Sequence, residues 1–200
     1  LEPDGTGGNS RFPGDPAAVL RLAGPAAAPP RFRTSFAAFS AMDVAYNLAN
    51  LLGGRILYPP YRTHMLDGPL REWAGWAGKA LRWPRRRAER DAALARIAAH
   101  PGPVFLMALQ LETDFQIRRH GPEGGLRPAL ARVMDSFRAH APPDALLVVK
   151  PHPLDNGWAP WRRLAREGGA LFLDGGGLEA LFPRLSGLVT VNSTAGLSAL

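Results

Sequence analysis

The chain contains no cysteine, only three tyrosines, and lysine at just two positions, Lys79 and Lys150. Without cysteine there is no disulfide framework and no thiolate metal site. Long apolar runs are also missing, and none approaches the ~18 residues that a membrane-crossing helix needs. No signal peptide is visible, so the composition predicts a soluble, cytoplasmic protein. Arginine makes up for the scarcity of lysine and brings the formal net charge to +7. A basic surface suits anionic partners, from nucleic acid and membrane phosphates to nucleotide sugars and acidic polymers. Arginine in place of lysine, together with abundant alanine, is what a GC-rich coding sequence writes whatever the function. The charge therefore selects none of these partners. Nucleic acid is disfavoured, because there is no recognition helix and no interleaving of basic with aromatic residues.

The 200 residues, 46% of them hydrophobic, suffice for a real core and allow one domain or two small ones. The chain opens at Leu1 without an initiator Met and stops at Ala199-Leu200 inside an expected helix, so it reads as a piece of a longer protein. Residues 1–33, rich in Gly, Pro and Ala, read as loop or linker. Gly5-Thr6-Gly7-Gly8 is not a phosphate loop, since no Gly-Lys-Ser/Thr follows. The spacing of Phe36, Phe39, Val44, Leu48 and Leu51 predicts a helix over Thr34–Leu52, ended by the irregular Tyr58-Pro59-Pro60-Tyr61. Pro69 suits the first turn of a second helix. On it Trp73, Trp76, Ala77, Ala80 and Leu81 form one apolar stripe, predicting a core-facing side. Pro84 ends that helix, and an Arg- and Ala-rich helix is expected over Arg85–His100. Trp73, Trp76 and Trp83 with Arg82, Arg85, Arg86 and Arg87 admit two readings: an interfacial helix on anionic lipid, or a core stripe followed by a solvated helix.

From Val104 onward strands and helices alternate. Strands are expected at Val104–Leu109, Ala145–Val149, Ala170–Leu173 and Gly187–Val191, the first buried on both faces. Helices are expected at Leu126–His140, Trp158–Glu167 and Leu178–Leu185, and from Thr194 onward. Repeated βα units predict an α/β fold with a parallel, Rossmann-type sheet flanked by helices. The expected organisation is a largely helical part over 1–100 and a ligand-binding α/β part over 101–200.

In such a sheet, ligands bind beyond the carboxyl ends of the strands, near the point where strand order reverses. Three segments follow strands directly. The first, Gln110-Leu111-Glu112-Thr113-Asp114-Phe115-Gln116-Ile117-Arg118, concentrates carboxylates, amides and an arginine. Asp114 and Glu112 suit nucleophile or acid/base roles, and Gln110, Gln116 and Arg118 suit the holding of hydroxyls and anions. The alternative is a solvated loop in which Asp114 caps the next turn. The second is Lys150-Pro151-His152-Pro153, where two prolines fix the backbone around a histidine able to donate to a phosphate. The alternative is a rigid turn with Lys150 in solvent. The third, Asn192-Ser193-Thr194-Ala195-Gly196, opens a helix with free N–H groups and two hydroxyls, an anion site or an ordinary N-cap. Together the three offer what a nucleotide-sugar transferase requires.

The strings QLETDFQIRRHGP, VVKPHPLDNG and VTVNSTAGLSAL resemble the capsule polysaccharide biosynthesis/export family, particularly its KpsS-like branch. MDVAYNLANLL and YPPYRTHMLDGPLREWAGW are similar to the same branch, and LEPDGTGGNSRFPGDP more loosely so. The resemblance implies a two-domain GT-B-like architecture and a retaining β-Kdo transferase. Such an enzyme takes Kdo from CMP-Kdo and builds a linker on a phosphatidylglycerol-type lipid. It further implies that His152 and Pro153 bind the CMP moiety and that Ser193, Thr194 and Gly196 hold the donor phosphate. Gln110 and Asp114 fall on a Gln-x-x-x-Asp motif, with Asp114 at the reacting carbon. A second carboxylate, serving as acid/base, is expected from the N-terminal domain; Glu112 is nearby but need not be that group. No metal or cofactor is expected, since CMP-Kdo carries its own activated leaving group. The implied setting is cytoplasmic and peripheral at the inner membrane, next to the capsule export machinery. Tyr61, Arg62 and His64 match the branch without a derivable role. Two alternatives stay open: another nucleotide-sugar enzyme on the same scaffold, such as a sialyltransferase or epimerase, and a non-catalytic export or scaffold protein that grips an acidic polymer through its arginines.

Overall fold

The computed structural model describes residues 36–60 and 66–198, with isolated positions between Asp15 and Arg21. Most of the expected linker over 1–33, as well as Tyr61, Arg62 and His64, lies outside the described residues. The chain divides into two compact units, one ending at Gly53 and one running from Gly54 to Ala199. Helix α1 spans Phe36–Leu57, five residues beyond the expected Leu52. Gly53 and Gly54 are tolerated within it, and the helix stops where Pro59 and Pro60 remove two backbone donors.

In the second unit, α2 (Pro69–Leu81) and α3 (Trp83–Ala99) are separated by Arg82 alone. Pro84 lies in the first turn of α3, where its missing N–H has no helical partner to lose. The apolar stripe expected to face the core does so only in part: Trp73 and Trp76 are half-buried, whereas Leu81 is 85% exposed and Ala77 and Ala80 are exposed as well. The packed side of α2 runs instead through Glu72, Gly75 and Lys79. Gly75 is its buried residue, and a Cβ there would meet the Asn156 carbonyl.

Four parallel strands follow: β1 (Val104–Ala108), β2 (Leu146–Lys150), β3 (Leu171–Phe172) and β4 (Gly187–Val189). Their order is β3-β2-β1-β4. The connections include α4 (Phe115–His120), α5 (Leu126–His140) and α6 (Trp161–Glu167), and α7 (Ala195–Ser198) follows β4. The alternation of strand side chains feeds two cores. Met107, Leu147 and Val149 pack with Leu126, Leu130 and Trp161 on one face. Val104, Leu106, Leu146 and Val148 pack with Ala93, Ile97 and Leu181 on the other. Every residue of β2 is buried, as befits a strand covered on both faces. The expected α/β architecture is the observed one.

Two expected helices are shorter. The one placed over Trp158–Glu167 begins at Trp161, because the side chains of Asp155 and Asn156 capture the Gly157 and Trp158 N–H groups in local turns. The one placed over Leu178–Leu185 contracts to a 3₁₀ turn at Phe182–Arg184. In an α-helix from Leu178, the Pro183 ring would collide with the Glu179 carbonyl. β4 ends at Val189 rather than Val191, and β3 keeps only two residues.

Candidate functional site at the sheet rim

Strand order reverses between β1 and β4, since β2 and β3 lie to one side of β1 and β4 to the other. In open parallel sheets ligands bind at such a reversal, between the loops leaving the two strands. The amides of Gln110 and Asn192 meet there. Gln110 Nε2 donates to Asn192 Oδ1, and the Asn192 backbone N–H returns a bond to Gln110 Oε1 at 3.2 Å. Asn192 Nδ2 also donates to the Gln116 carbonyl at 3.5 Å. Two segments 82 residues apart in sequence are thus joined by side chains singled out from the sequence.

Asp114 is the N-cap of α4, its Oδ1 accepting the Gln116 N–H at 2.8 Å. The capping alternative is therefore realised, and it leaves Oδ2 without a hydrogen-bond partner among the described residues. Asp114 is exposed at the rim and close enough to His152 to act on its charge. Glu112 turns the other way, toward the start of α5: its Oε1 lies 3.9 Å from Arg127 Nε. Gln116 and Arg118 project from α4 and are exposed.

His152 follows β2. Its Nδ1 accepts the Leu154 N–H at 3.1 Å, so the neutral ring carries its proton on Nε2 and presents a donor there. Burial lowers its pKa from the ordinary 6.5, the nearby Lys150 lowers it further, and Asp114 and Asp155 pull it back up. Pro153 is exposed beside it. Lys150 is neither in solvent nor at the β1/β4 reversal. It is 5% exposed, and Nζ donates to the Gly175 carbonyl at 2.7 Å, on the β3 side of the sheet. Burial lowers its pKa, with Asp174 opposing.

The third segment is more self-contained than its sequence suggests. The Ala195 N–H is taken by Ser193 Oγ at 3.2 Å and the Gly196 N–H by the Ser193 carbonyl at 3.1 Å, while Asn192 N–H is bonded to Gln110. Three N–H groups of the expected anion cradle are thus already engaged, two within the segment and one by Gln110, and α7 is a single turn. Thr194 is exposed at this turn. Gly196 is explained by proximity, because a Cβ there would stand 3.3 Å from Thr190 Cγ2. Thr190 Oγ1 is buried with no hydrogen-bond partner among the described residues. Sequence reasoning missed Thr190, because nothing in its sequence context marks a buried hydroxyl.

It also missed the network behind His152. Asn156 Nδ2 donates to Glu72 at 3.0 Å, Trp158 Nε1 to the Arg71 carbonyl at 2.9 Å, and Lys79 Nζ to the Asp155 carbonyl. These bonds hang the loop after His152 on α2. The arginines of α3 are likewise engaged: Arg86 with Asp174 at 2.6 Å, Arg85 with Glu89 at 3.2 Å and Arg87 with Asp91 at 3.9 Å. That pairing matches the solvated-helix reading better than a lipid-facing one. Among the described residues no helix is long and apolar enough to cross a membrane.

Residues 1–200 match the family described as capsule polysaccharide biosynthesis protein. The capsule polysaccharide export protein KpsS of Escherichia coli is 32% identical over 152 residues, 72% of this chain and 39% of that protein. The capsule polysaccharide modification protein LipB of Neisseria meningitidis, from serogroup A and serogroup B strains, is 34% identical over 108 residues, 50% of this chain and 26% of that protein. The chain thus spans well under half the length of these relatives. No solved structure matches it. With the match running from first residue to last, the chain belongs to the capsule polysaccharide biosynthesis family.

Proposed function

We propose that this chain is the donor-binding part of a GT-B-type glycosyltransferase that moves Kdo from CMP-Kdo to a phosphatidylglycerol-type lipid with retention of configuration. One observation supports the reading: Gln110 and Asn192 bond to each other at the β1/β4 reversal, and Asp114, from the same loop as Gln110, lies close enough to His152 to act on its charge. The open oxygen of Asp114 attacks the anomeric carbon as the bond from that carbon to the phosphate oxygen breaks. CMP departs with the electron pair. The acceptor hydroxyl, giving its proton to the acid/base carboxylate, then displaces the Asp114 carboxylate and restores the original configuration.

His152 Nε2–H and the Ser193 and Thr194 hydroxyls donate to the departing phosphate, with Pro153 and Gly196 shaping the turns that hold them. Gln110, Gln116, Asn192 and Arg118 hold the sugar. Lys150 acts at one remove, anchoring the rim through Gly175. The acid/base carboxylate comes from the N-terminal domain of the whole protein, since Glu112 faces Arg127 instead. No metal or cofactor enters, and the enzyme works at the cytoplasmic face of the inner membrane beside the export machinery.

The test is CMP release by the full-length protein from CMP-Kdo with a lipid acceptor. Asp114→Asn is expected to slow it by a hundredfold or more, on the order of the loss of one group acting at the transition state. Unchanged transfer by this variant overturns the assignment. CMP release without acceptor transfer, or binding of UDP-sugars in place of CMP, points to another nucleotide-sugar enzyme. Salt-sensitive polymer binding with no CMP release points to a non-catalytic export role.

A further inference from the structure

A cleft of about 190 Å³ opens at the same rim on the β3 side of the His152 loop, between that loop and helices α2 and α3. Lys79, Arg82, Arg86 and Arg162 line it, together with Asp155, Asp174 and the Trp158 ring. Its acids are already engaged. Asp174 is held by Arg86 at 2.6 Å, and Asp155 accepts from Gly157 N–H at 2.8 Å and Trp161 Nε1 at 3.1 Å. Arg162 is paired with Glu89. The remaining cations are not matched. Lys79 Nζ reaches a neutral backbone carbonyl, and Arg82 makes no ion pair among the described residues.

Burial, and next the neighbouring Arg86, lower the Lys79 pKa, while Asp174, Asp155 and Glu72 oppose the shift. An anion entering the cleft would give Arg82 the partner it lacks among the described residues and would lie beside Lys79. Trp158 adds a wall that is half exposed, its indole pinned by its bond to the Arg71 carbonyl. An aromatic face beside unmatched cations suits a polyhydroxylated ring that carries a negative charge. The volume falls below the roughly 300–1,000 Å³ of pockets for larger ligands, so it fits one sugar unit rather than a nucleotide.

We propose that this cleft is a binding site for a single carboxylate-bearing saccharide unit, separate from the site at Gln110 and Asn192. The test is isothermal titration of the full-length protein with sodium D-glucuronate, with D-glucose and inorganic phosphate as comparators. Glucuronate is expected to bind and glucose not. Arg82→Ala and Lys79→Gln are each expected to weaken glucuronate by about fivefold, the scale of one partly screened charge pair, and Arg82→Ala is expected to leave CMP binding unchanged. Arg82 makes no side-chain bond whose loss would disturb the fold, so its variant reads the cleft alone. No glucuronate binding, glucuronate binding indifferent to both variants, competition between glucuronate and CMP, or phosphate bound as tightly with the same sensitivity would each overturn the proposal. Its failure leaves the Asp114 result untouched, and the reverse holds too.

Discussion

Helix α1 and strand β2 carry similarly apolar sequences and end in opposite environments. Along α1, Met42 is 73% exposed, Leu52 72% and Ile56 79%, whereas every residue of β2 is buried, down to Val148 and Val149 at 0%. The difference lies in what surrounds each element. β2 has a strand on either side and helices over both faces, so its side chains are enclosed whichever way they alternate. α1 offers apolar residues around much of its circumference, and spacing along one helix says nothing about whether a partner meets them. Burial here is a property of neighbours rather than of composition.

The largest expected break between the two regions is at Trp161, which is 2% exposed in the sheet core. Trp161→Ala is expected to lower unfolding free energy by ~3–5 kcal/mol in urea titration. A loss under 1 kcal/mol would mean that this core is not packed as described. Gly75→Ala asks whether α2 belongs energetically with the sheet. Its Cβ would lie 2.5 Å from the Asn156 carbonyl, a backbone atom that yields little. A cost of ~1–3 kcal/mol and altered Trp158 fluorescence are expected. Wild-type stability in this variant would show that α2 does not rest on the loop.

Smaller is the effect at His152. Its pKa is lowered from 6.5 in the folded protein, so the unfolded chain binds more protons in the window just below that value. Stability therefore falls as pH drops through 6.5 toward the folded value and is unaffected above it. His152→Gln should remove this acid-side loss, and a nuclear magnetic resonance titration of the imidazole placing its midpoint above 6.5 would refute the direction. Least of all is expected at Ile56→Ala in this chain, where a change within ~0.5 kcal/mol follows from an exposed side chain. A larger loss would show that α1 is covered after all.

Much of the sheet half is legible along the chain. Helix α5 is bounded as its period predicts, at Leu126–His140, and all four strands fall inside their expected spans or within a residue of them. Misreadings gather where side chains or proline compete with the backbone: at Asp155 and Asn156, which delay α6, and at Pro183, which shortens a helix to a 3₁₀ turn. The stripe on α2 misled for another reason. Periodicity identifies an apolar face, while the close approach of Gly75 to the His152 loop decided which face packs. At the rim, the type of each residue after a strand was readable. Whether it reached the β1/β4 reversal was not, as Lys150 shows by bonding to Gly175.

By itself the sequence determined the α/β class, the βα rhythm from Val104 onward and the positions of Gln110, Asp114, His152 and Ser193 at strand exits. These follow from local hydrophobic period and from the few places where polar residues interrupt it. Only the tertiary structure decided that Gln110 meets Asn192, that Lys150 is buried, and that Lys79 and Arg82 share a cleft with Trp158. Each of these joins residues far apart in the chain, and such neighbours are chosen by strand order and packing, which no local pattern encodes.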